Sequence, residues 1–235
     1  MAKRFYVSND IASADTLSSD FYTDQDVFEL SKEAIFAGSW QLICQKKSLK
    51  NKTPFPFLYL NGFMNEPLVL VLQDGAIDCL SNVCTHRAHI ICLDESNKSL
   101  LRCRYHGRTF TLDGKMKSMP GFDGVKNFPS KQDNLEKIPT LFWKDFIFVS
   151  LKSSINIQPV LNDIEHRLKG YEFDKLILDN SQSRSYIIDS NWALYCENYL
   201  EEFHIPFVHR GLTQDINMAV YKTLLLENSV LQTAT

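Results

Sequence analysis

From Trp40 to about Leu151 the apolar residues fall in short runs cut by turn pairs: "WQLIC", "PFLYL" before Asn61-Gly62, "PLVLVL" before Asp74-Gly75, "IDCLS", "RTFTL" before Asp113-Gly114, and "FIFVSL". That texture predicts a small antiparallel β domain, because such pairs form hairpin turns and the runs are too short for helices. Upstream, Val27, Leu30, Ala34 and Ile35 recur at helical spacing within residues 23–38. They predict one amphipathic helix, capped by Asp24 and closed by Gly38 just past its last turn. Downstream, Pro159 opens a helix through "VLNDIEHRLKGY", and "RSYIID" reads as a strand. "NWALYCENYLEEFHIPFVHRGL" reads as a helix capped by Ser190 or Asn191. The closing "AVYKTLLLENSVLQTAT" reads as a strand or two, and residues 115–137, with two prolines and two glycines, as surface connection. The fold class is α+β: an N-terminal segment and helix at 1–39, an antiparallel β domain at 40–155, and a partial helix-plus-antiparallel-sheet region at 156–235.

Composition narrows the function classes. At 235 residues, 44% hydrophobic and 23% charged, the chain can bury real cores. A formal net charge of -3 gives no basic excess, so no nucleic-acid partner is expected. No segment approaches the eighteen or so apolar residues of a membrane span, and the N-terminus carries no secretory apolar run, so a cytoplasmic protein without a membrane partner is expected. The six cysteines are too few for a disulfide scaffold and should stay reduced in that compartment. Cys44, Cys79, Cys92 and Cys196 lie among apolar neighbours and read as packing residues.

The remaining two cysteines are placed differently. Cys84 stands two residues before His86, Cys103 three before His106, and sixteen residues separate His86 from Cys103. Each pair sits on a tight loop between strand-like runs, so the loops can face each other and converge two soft sulfurs and two imidazoles. Zinc uses the same ligand types, but structural zinc fingers usually bring two Cys as one pair and two His as the other. One of each per loop suits a binuclear centre with both Cys on one iron and both His on the other. Neutral imidazoles in place of two thiolates move the potential from about −400 mV to roughly −150 to +300 mV. His89 reads as a polar loop residue and His166 as a solvated one.

A second pair, His204 and His209, would point about 140° apart on an unbroken helix. Pro206 lies between them and cannot continue the hydrogen-bond ladder, so the helix should end or kink there and let the rings converge. Glu201, three residues before His204, shares its helical face. Two helix-end histidines without a metal are the alternative.

"CTHR" and "CRYHG", with sixteen residues between His86 and Cys103, resemble the Rieske [2Fe-2S] motif. "NW", "ENY", an acid three before a histidine and four residues between two histidines resemble the catalytic domain of Rieske non-heme iron oxygenase α subunits, with the likeness running from about Trp40 to Leu212. The resemblance implies that Cys84, His86, Cys103 and His106 bind a [2Fe-2S] cluster and that His204 and His209 bind Fe(II). It makes Glu201 the electron bridge to the cluster of a neighbouring subunit in a homotrimer. Electrons would come from NAD(P)H through a separate reductase, with O₂ and a small-molecule substrate completing the reaction. The form "ENYLEEFHIPFVH" looks closer to relatives that act on quaternary amines. The family's third iron ligand, an acid far downstream, is missing: Asp215 and Glu227 are the only acids after His209, so a truncated or split α subunit is expected. An electron-transfer Rieske protein or inactive remnant, and a zinc-stabilised interaction module, are the competing readings.

Overall fold

The run "PLVLVL" becomes a strand buried on both faces in the computed structural model, which describes residues 4–49, 52–95 and 98–234. The chain divides into a β unit, residues 34–156 with 172–175, and a helical unit, residues 1–33, 157–171 and 176–235. The strands of the β unit are β1 (Gln41–Gln45), β2 (Phe55–Tyr59), β3 (Glu66–Gln73), β4 (Ala76–Ser81), β5 (Leu100–Arg102), β6 (Thr109–Thr111), β7 (Met116–Ser118), β8 (Lys137–Ile138), β9 (Thr140–Trp143) and β10 (Phe146–Val149). They form three antiparallel sheets, ordered β2-β3-β4-β8, β1-β10-β9 and β5-β6-β7.

Side chains alternate faces along a strand, so β3 and β4 serve two cores at once. Leu68, Leu70 and Cys79 pack with Leu49, Tyr59, Ile138, Ile147 and Val149. Val69, Val71 and Leu80 pack on the other face with Leu101, Phe110, Met116, Cys84 and Cys103. Each such aliphatic side chain contributes roughly 1.5–3 kcal/mol on burial. Asp74 and Gly75 both adopt positive φ between the paired Gln73 and Ala76, as a two-residue hairpin requires.

The six expected strands form, within a residue or two at most ends. Four further strands, β5, β7, β8 and β9, were not expected from the sequence; they have two to four residues each, too few for an alternation to register. Residues 115–137 are more than surface connection: β7 lies within them, and Met116, Met119 and Leu135 are buried in the second core. Gly38 does not take the left-handed conformation expected beyond a helix end. It is needed for closeness, since a Cβ there would lie 2.0 Å from Ser154 Oγ.

The helical unit contains α1 (Asp20–Thr23), α2 (Gln25–Ser31), α3 (Gln158–Arg167), α4 (Trp192–Tyr199), α5 (Ile205–Val208) and α6 (Arg210–Asp215), with a hairpin of β11 (Lys222–Leu225) and β12 (Val230–Thr233). Asp24 caps α2 by accepting from the Asp26 and Val27 amides, and the single helix expected there runs on only as a π-turn over Lys32–Phe36. Asn191, rather than Ser190, caps α4 through the Ala193 amide. The Trp192 indole donates to Ser31 Oγ at 3.3 Å and the Asn191 amide to the Tyr22 carbonyl at 3.0 Å, docking α4 on the N-terminal helices. Residues 184–189 form no strand: no strand among the described residues pairs with them, and Ile187 is fully exposed. Cys196 is exposed on α4 rather than packed. No helix among the described residues is long and apolar enough to cross a membrane.

Burial in the first core pushes the Tyr59 hydroxyl and the Cys79 thiol each up to about 12. Tyr59 also donates to the carbonyls of Phe36 and Ser39. Both groups keep their protons in the folded chain and lose them sooner when unfolded, so the stabilisation is complete below the unfolded pKa values and is lost as pH rises toward about 12. The unfolding free energy from urea titration should therefore fall from about pH 9 upward, by up to about 1.4 kcal/mol per pH unit for each titrating group. Cys79→Ala should make the fall near pH 9 shallower without abolishing it, because burial also raises the Cys44, Cys84 and Cys92 thiols. An alkaline limb identical in Cys79→Ala and Tyr59→Phe to that of the parent would contradict this.

Candidate metal centres

The two Cys-His loops are the same structure built twice. In the first, the bridge Val83↔Ile90 closes residues 84–89; in the second, the pair Arg102↔Thr109 closes residues 103–108. Each six-residue loop begins with its cysteine, whose amide donates to the carbonyl of the sixth residue: Cys84 to His89 at 2.9 Å and Cys103 to Arg108 at 2.8 Å. In each, the fifth residue donates back to the cysteine carbonyl, Ala88 at 3.0 Å and Gly107 at 3.1 Å. That residue adopts positive φ in both loops, +52° at Ala88 and +73° at Gly107. The histidine is third in one loop and fourth in the other, so the two "C…H" spacings differ while the backbone design does not.

The loops put sulfur inward and nitrogen outward. Cys84 and Cys103 are 3% and 2% exposed, whereas His86 and His106 are exposed, with ring centroids 4.8 Å apart at 63°. Burial pushes the Cys84 thiol up; the His86 amide, which donates to its sulfur, opposes this, and the neighbouring Cys103 thiol adds to it. His86 is held below the ordinary imidazole value by desolvation first, then by His106, Arg108 and Arg87, which keeps it a neutral donor. Tyr105 stacks on His106 at 3.9 Å, and His89 turns its ring edge to Tyr105. Asn82, 2% exposed, holds the base of the first loop by exchanging two hydrogen bonds with the Cys92 backbone.

This donor set tests what the site could hold. Among the described residues no three His, Cys, Asp or Glu side chains gather around a single point as ligands of one ion. A structural zinc needs four in one tetrahedron. A binuclear cluster needs a sulfur pair and an imidazole pair set apart, which is what the loops offer.

The last residue of the second loop and a distant turn brace both loops. The Arg108 side chain, on the second loop, donates to Thr85 Oγ1 of the first at 2.6 Å and to Asp133 Oδ1 at 2.9 Å. Asp133 closes a capping box with Ser130, and its carboxyl is held low by the Ser130 amide first and by Arg108 in part. Neither Arg108 nor Asp133 was expected from the sequence; a capping box in the 115–137 segment was the only available signal.

In the helical unit, His204 and His209 lie with ring centroids 5.0 Å apart at 75°. They converge, but not through a break at Pro206: α4 already ends at Tyr199, and Pro206 instead lies in the first turn of α5, where its missing amide costs nothing. Glu201 lies in the intervening loop, hydrogen-bonded to His204 Nδ1 and, at 3.2 Å, to the His204 amide. Desolvation raises the Glu201 carboxyl, yet these His204 interactions outweigh it and the net shift is downward. Nε2 of His204 is thereby the nitrogen left for a metal. No third ligand joins among the described residues. Glu197 accepts from Tyr22, Glu202 from Thr223 at 2.8 Å, and Glu227 lines a cavity with Pro159, Val160 and Asp163.

Residues 39–129 match the family model of the Rieske [2Fe-2S] domain. Choline monooxygenase of Amaranthus tricolor is 30% identical over 227 residues, covering 92% of this chain and 50% of that protein. The carnitine monooxygenase oxygenase subunit of Escherichia coli K12 is 29% identical over 226 residues, covering 92% and 58%. The chain carries a Rieske domain and, over most of its length, is similar to Rieske oxygenase α subunits. It spans about half the length of the curated relatives it matches. Its fold is that of a quaternary ammonium Rieske monooxygenase solved with L-carnitine, with TM-score 0.72, 24% identity and coverage of 92% of this chain and 61% of that one. Naphthalene 1,2-dioxygenase from Rhodococcus sp. matches with TM-score 0.58 and 19% identity over 86% of this chain and 49% of that one. A Rieske domain implies a [2Fe-2S] cluster, and the paired sulfurs and imidazoles fit one.

The repeated loop predicts unequal effects at its fifth positions. Gly107→Ala adds a Cβ at a left-handed φ and 3.1 Å from Pro120 Cγ, and should destabilise the Rieske domain by about 1–2 kcal/mol. Ala88→Gly relieves the same conformation and should be neutral or stabilising in urea denaturation. Equal losses in both variants would contradict the equivalence.

Proposed function

We propose that the chain is the cluster-bearing part of a Rieske-type mono- or dioxygenase. Cys84 and Cys103 would hold one iron of a [2Fe-2S] cluster and His86 and His106 the other, while His204 and His209 would hold Fe(II). The reading is carried by the twin loops, which offer two ligand pairs rather than one four-ligand cage. When bound, the cluster supplies one-electron transfer at intermediate potential and the Fe(II) supplies O₂ activation.

The protein groups have distinct tasks in this scheme. Burial around Cys84 and Cys103 keeps water from the sulfur side, and the exposed imidazole edges of His86 and His106 give electrons their way in and out. Exposed Arg87, Arg102 and Arg104 put positive charge beside that edge, suited to an acidic face on a reductase that draws on NAD(P)H. Glu201 orients His204 through Nδ1 and is the group we assign to the electron bridge toward the cluster of a second copy, in the homotrimer that the resemblance implies. The relatives named for choline and carnitine point to a quaternary ammonium substrate, oxidised with O₂.

A second reading has one observation in its favour. With no carboxylate besides Glu201 beside His204 and His209 among the described residues, the chain alone would act as an electron-transfer Rieske protein. Two neutral donors hold Fe(II) weakly.

Protein assembled with iron and sulfide should be red-brown, carry two acid-labile sulfides per chain and give a rhombic EPR signal on reduction. One tight zinc in a colourless protein would defeat the cluster assignment. His106→Cys, which exchanges a neutral ligand for an anionic one, should lower the cluster potential. Anaerobic titration should find weak binding of the additional Fe(II), with little product coupled to oxygen uptake. Tight binding with coupled turnover of choline or carnitine would instead favour the complete oxygenase. In an assembled, active enzyme, Glu201→Gln should leave sulfide content and cluster reduction unchanged and slow turnover about 10–100-fold. Loss of both metal centres would make Glu201 a structural residue.

A further inference from the structure

Arg108 is the one buried charged residue among those described, 4% exposed, and only part of its donor set is accounted for. One terminal nitrogen donates to Thr85 Oγ1, between Cys84 and His86, and the other to Asp133 Oδ1. Phe128 covers the guanidinium at 5.4 Å. The Nε–H is equally buried and has no protein partner. A buried N–H left unmade costs about 1–3 kcal/mol, more on a charged group, so a native fold that keeps one has a use for it. The surroundings narrow that use. The Arg108 carbonyl is bonded to the Cys103 amide, its side chain reaches Thr85 next to Cys84, and its charge acts on both Cys84 and His86.

We infer that Arg108 is a positioning residue for the cluster, donating its Nε–H to the sulfur side, Cys84 Sγ or a bridging sulfide, and raising the reduction potential with a fixed positive charge. The inference rests on the [2Fe-2S] reading above. A cluster with two thiolates, two sulfides and two neutral imidazoles is uncharged when both irons are ferric and gains one negative charge on one-electron reduction. A cation held nearby in a low-dielectric shell therefore favours the reduced form. Three anchors make the charge a fixed one: Phe128 beneath, Asp133 at one nitrogen and Thr85 at the other. A lysine could supply the charge but neither the fork nor the Nε–H.

The test uses the full chain with its cluster assembled, comparing the parent with Arg108→Gln and Arg108→Lys by EPR-monitored redox titration and by pulsed EPR after exchange into D₂O. At a fixed solution potential, Arg108→Gln should shift the reduced-to-oxidised ratio about tenfold toward oxidised, or about 59 mV for one electron. Arg108→Lys should recover most of that shift. Both variants should lose one strongly coupled exchangeable deuteron. An unchanged potential and unchanged deuteron coupling in Arg108→Gln would overturn the assignment. Where Arg108→Gln assembles no cluster, Arg108→Lys decides: loss of the deuteron supports the assignment and its retention overturns it. A parent protein with no acid-labile sulfide removes the cluster reading itself, and this inference with it, whereas a parent cluster indifferent to Arg108 removes the inference alone.

Discussion

Two cysteine sulfurs held side by side inside an apolar core set the terms for the Rieske domain. Cys84 and Cys103 belong to the same cluster of buried residues as Val69, Val71, Leu80 and Phe110. As free thiols they are merely small apolar groups, but as two bare thiolates they would repel each other in a medium that tolerates neither charge. In the proposed cluster, iron held between them would resolve the conflict, because the metal would take up the charge that burial makes costly. His86 faces a lesser version of the same problem: desolvation and neighbouring cations hold its imidazole below the ordinary value, and both His86 and His106 lie at the surface. Sulfur inside and nitrogen outside is thus an arrangement that electrostatics favours.

The scaffold meets that constraint by repetition. One loop design appears twice, with matched hydrogen bonds and a left-handed fifth residue, and the second core buries both loop bases against β3 and β4. Arg108 joins the copies to each other and to the Ser130–Asp133 turn, so three stretches of sequence are fixed by one guanidinium. The helical unit is built to a looser standard. Its buried hydrophobic residues among those described are Val27, Leu161, Ala193 and Ile205, while Ile187, Phe203 and Phe207 are at least 78% exposed. His204 and His209 converge there on local turns rather than on a packed core, and Glu201 holds the His204 ring by its Nδ1.

What could be read from the sequence follows from how local each signal was. Turn pairs and short apolar runs located β1–β4, β6 and β10, since a hairpin needs only its own neighbours. The Cys-His spacing located the two matched loops for the same reason. Strands of two to four residues were invisible, and so was Asp133, whose role depends on meeting Arg108 across 25 residues. "RSYIID" had strand composition but no strand to pair with, and pairing is a tertiary fact. Gly38 was recognised as special for the wrong reason, because Ser154, which crowds it, lies more than a hundred residues away. Pro206 does punctuate the chain, by starting a helical turn rather than ending one.

In the proposed cluster the loops would divide their ligands by chemistry, both sulfurs on one iron and both nitrogens on the other. Mössbauer spectroscopy of protein assembled with ⁵⁷Fe distinguishes such irons. The oxidised protein should show two inequivalent ferric sites of equal area, and one-electron reduction should give a single ferrous site with the larger isomer shift of nitrogen ligation beside an unchanged sulfur-ligated ferric site. Two equivalent irons, or one mononuclear iron per domain, would contradict it.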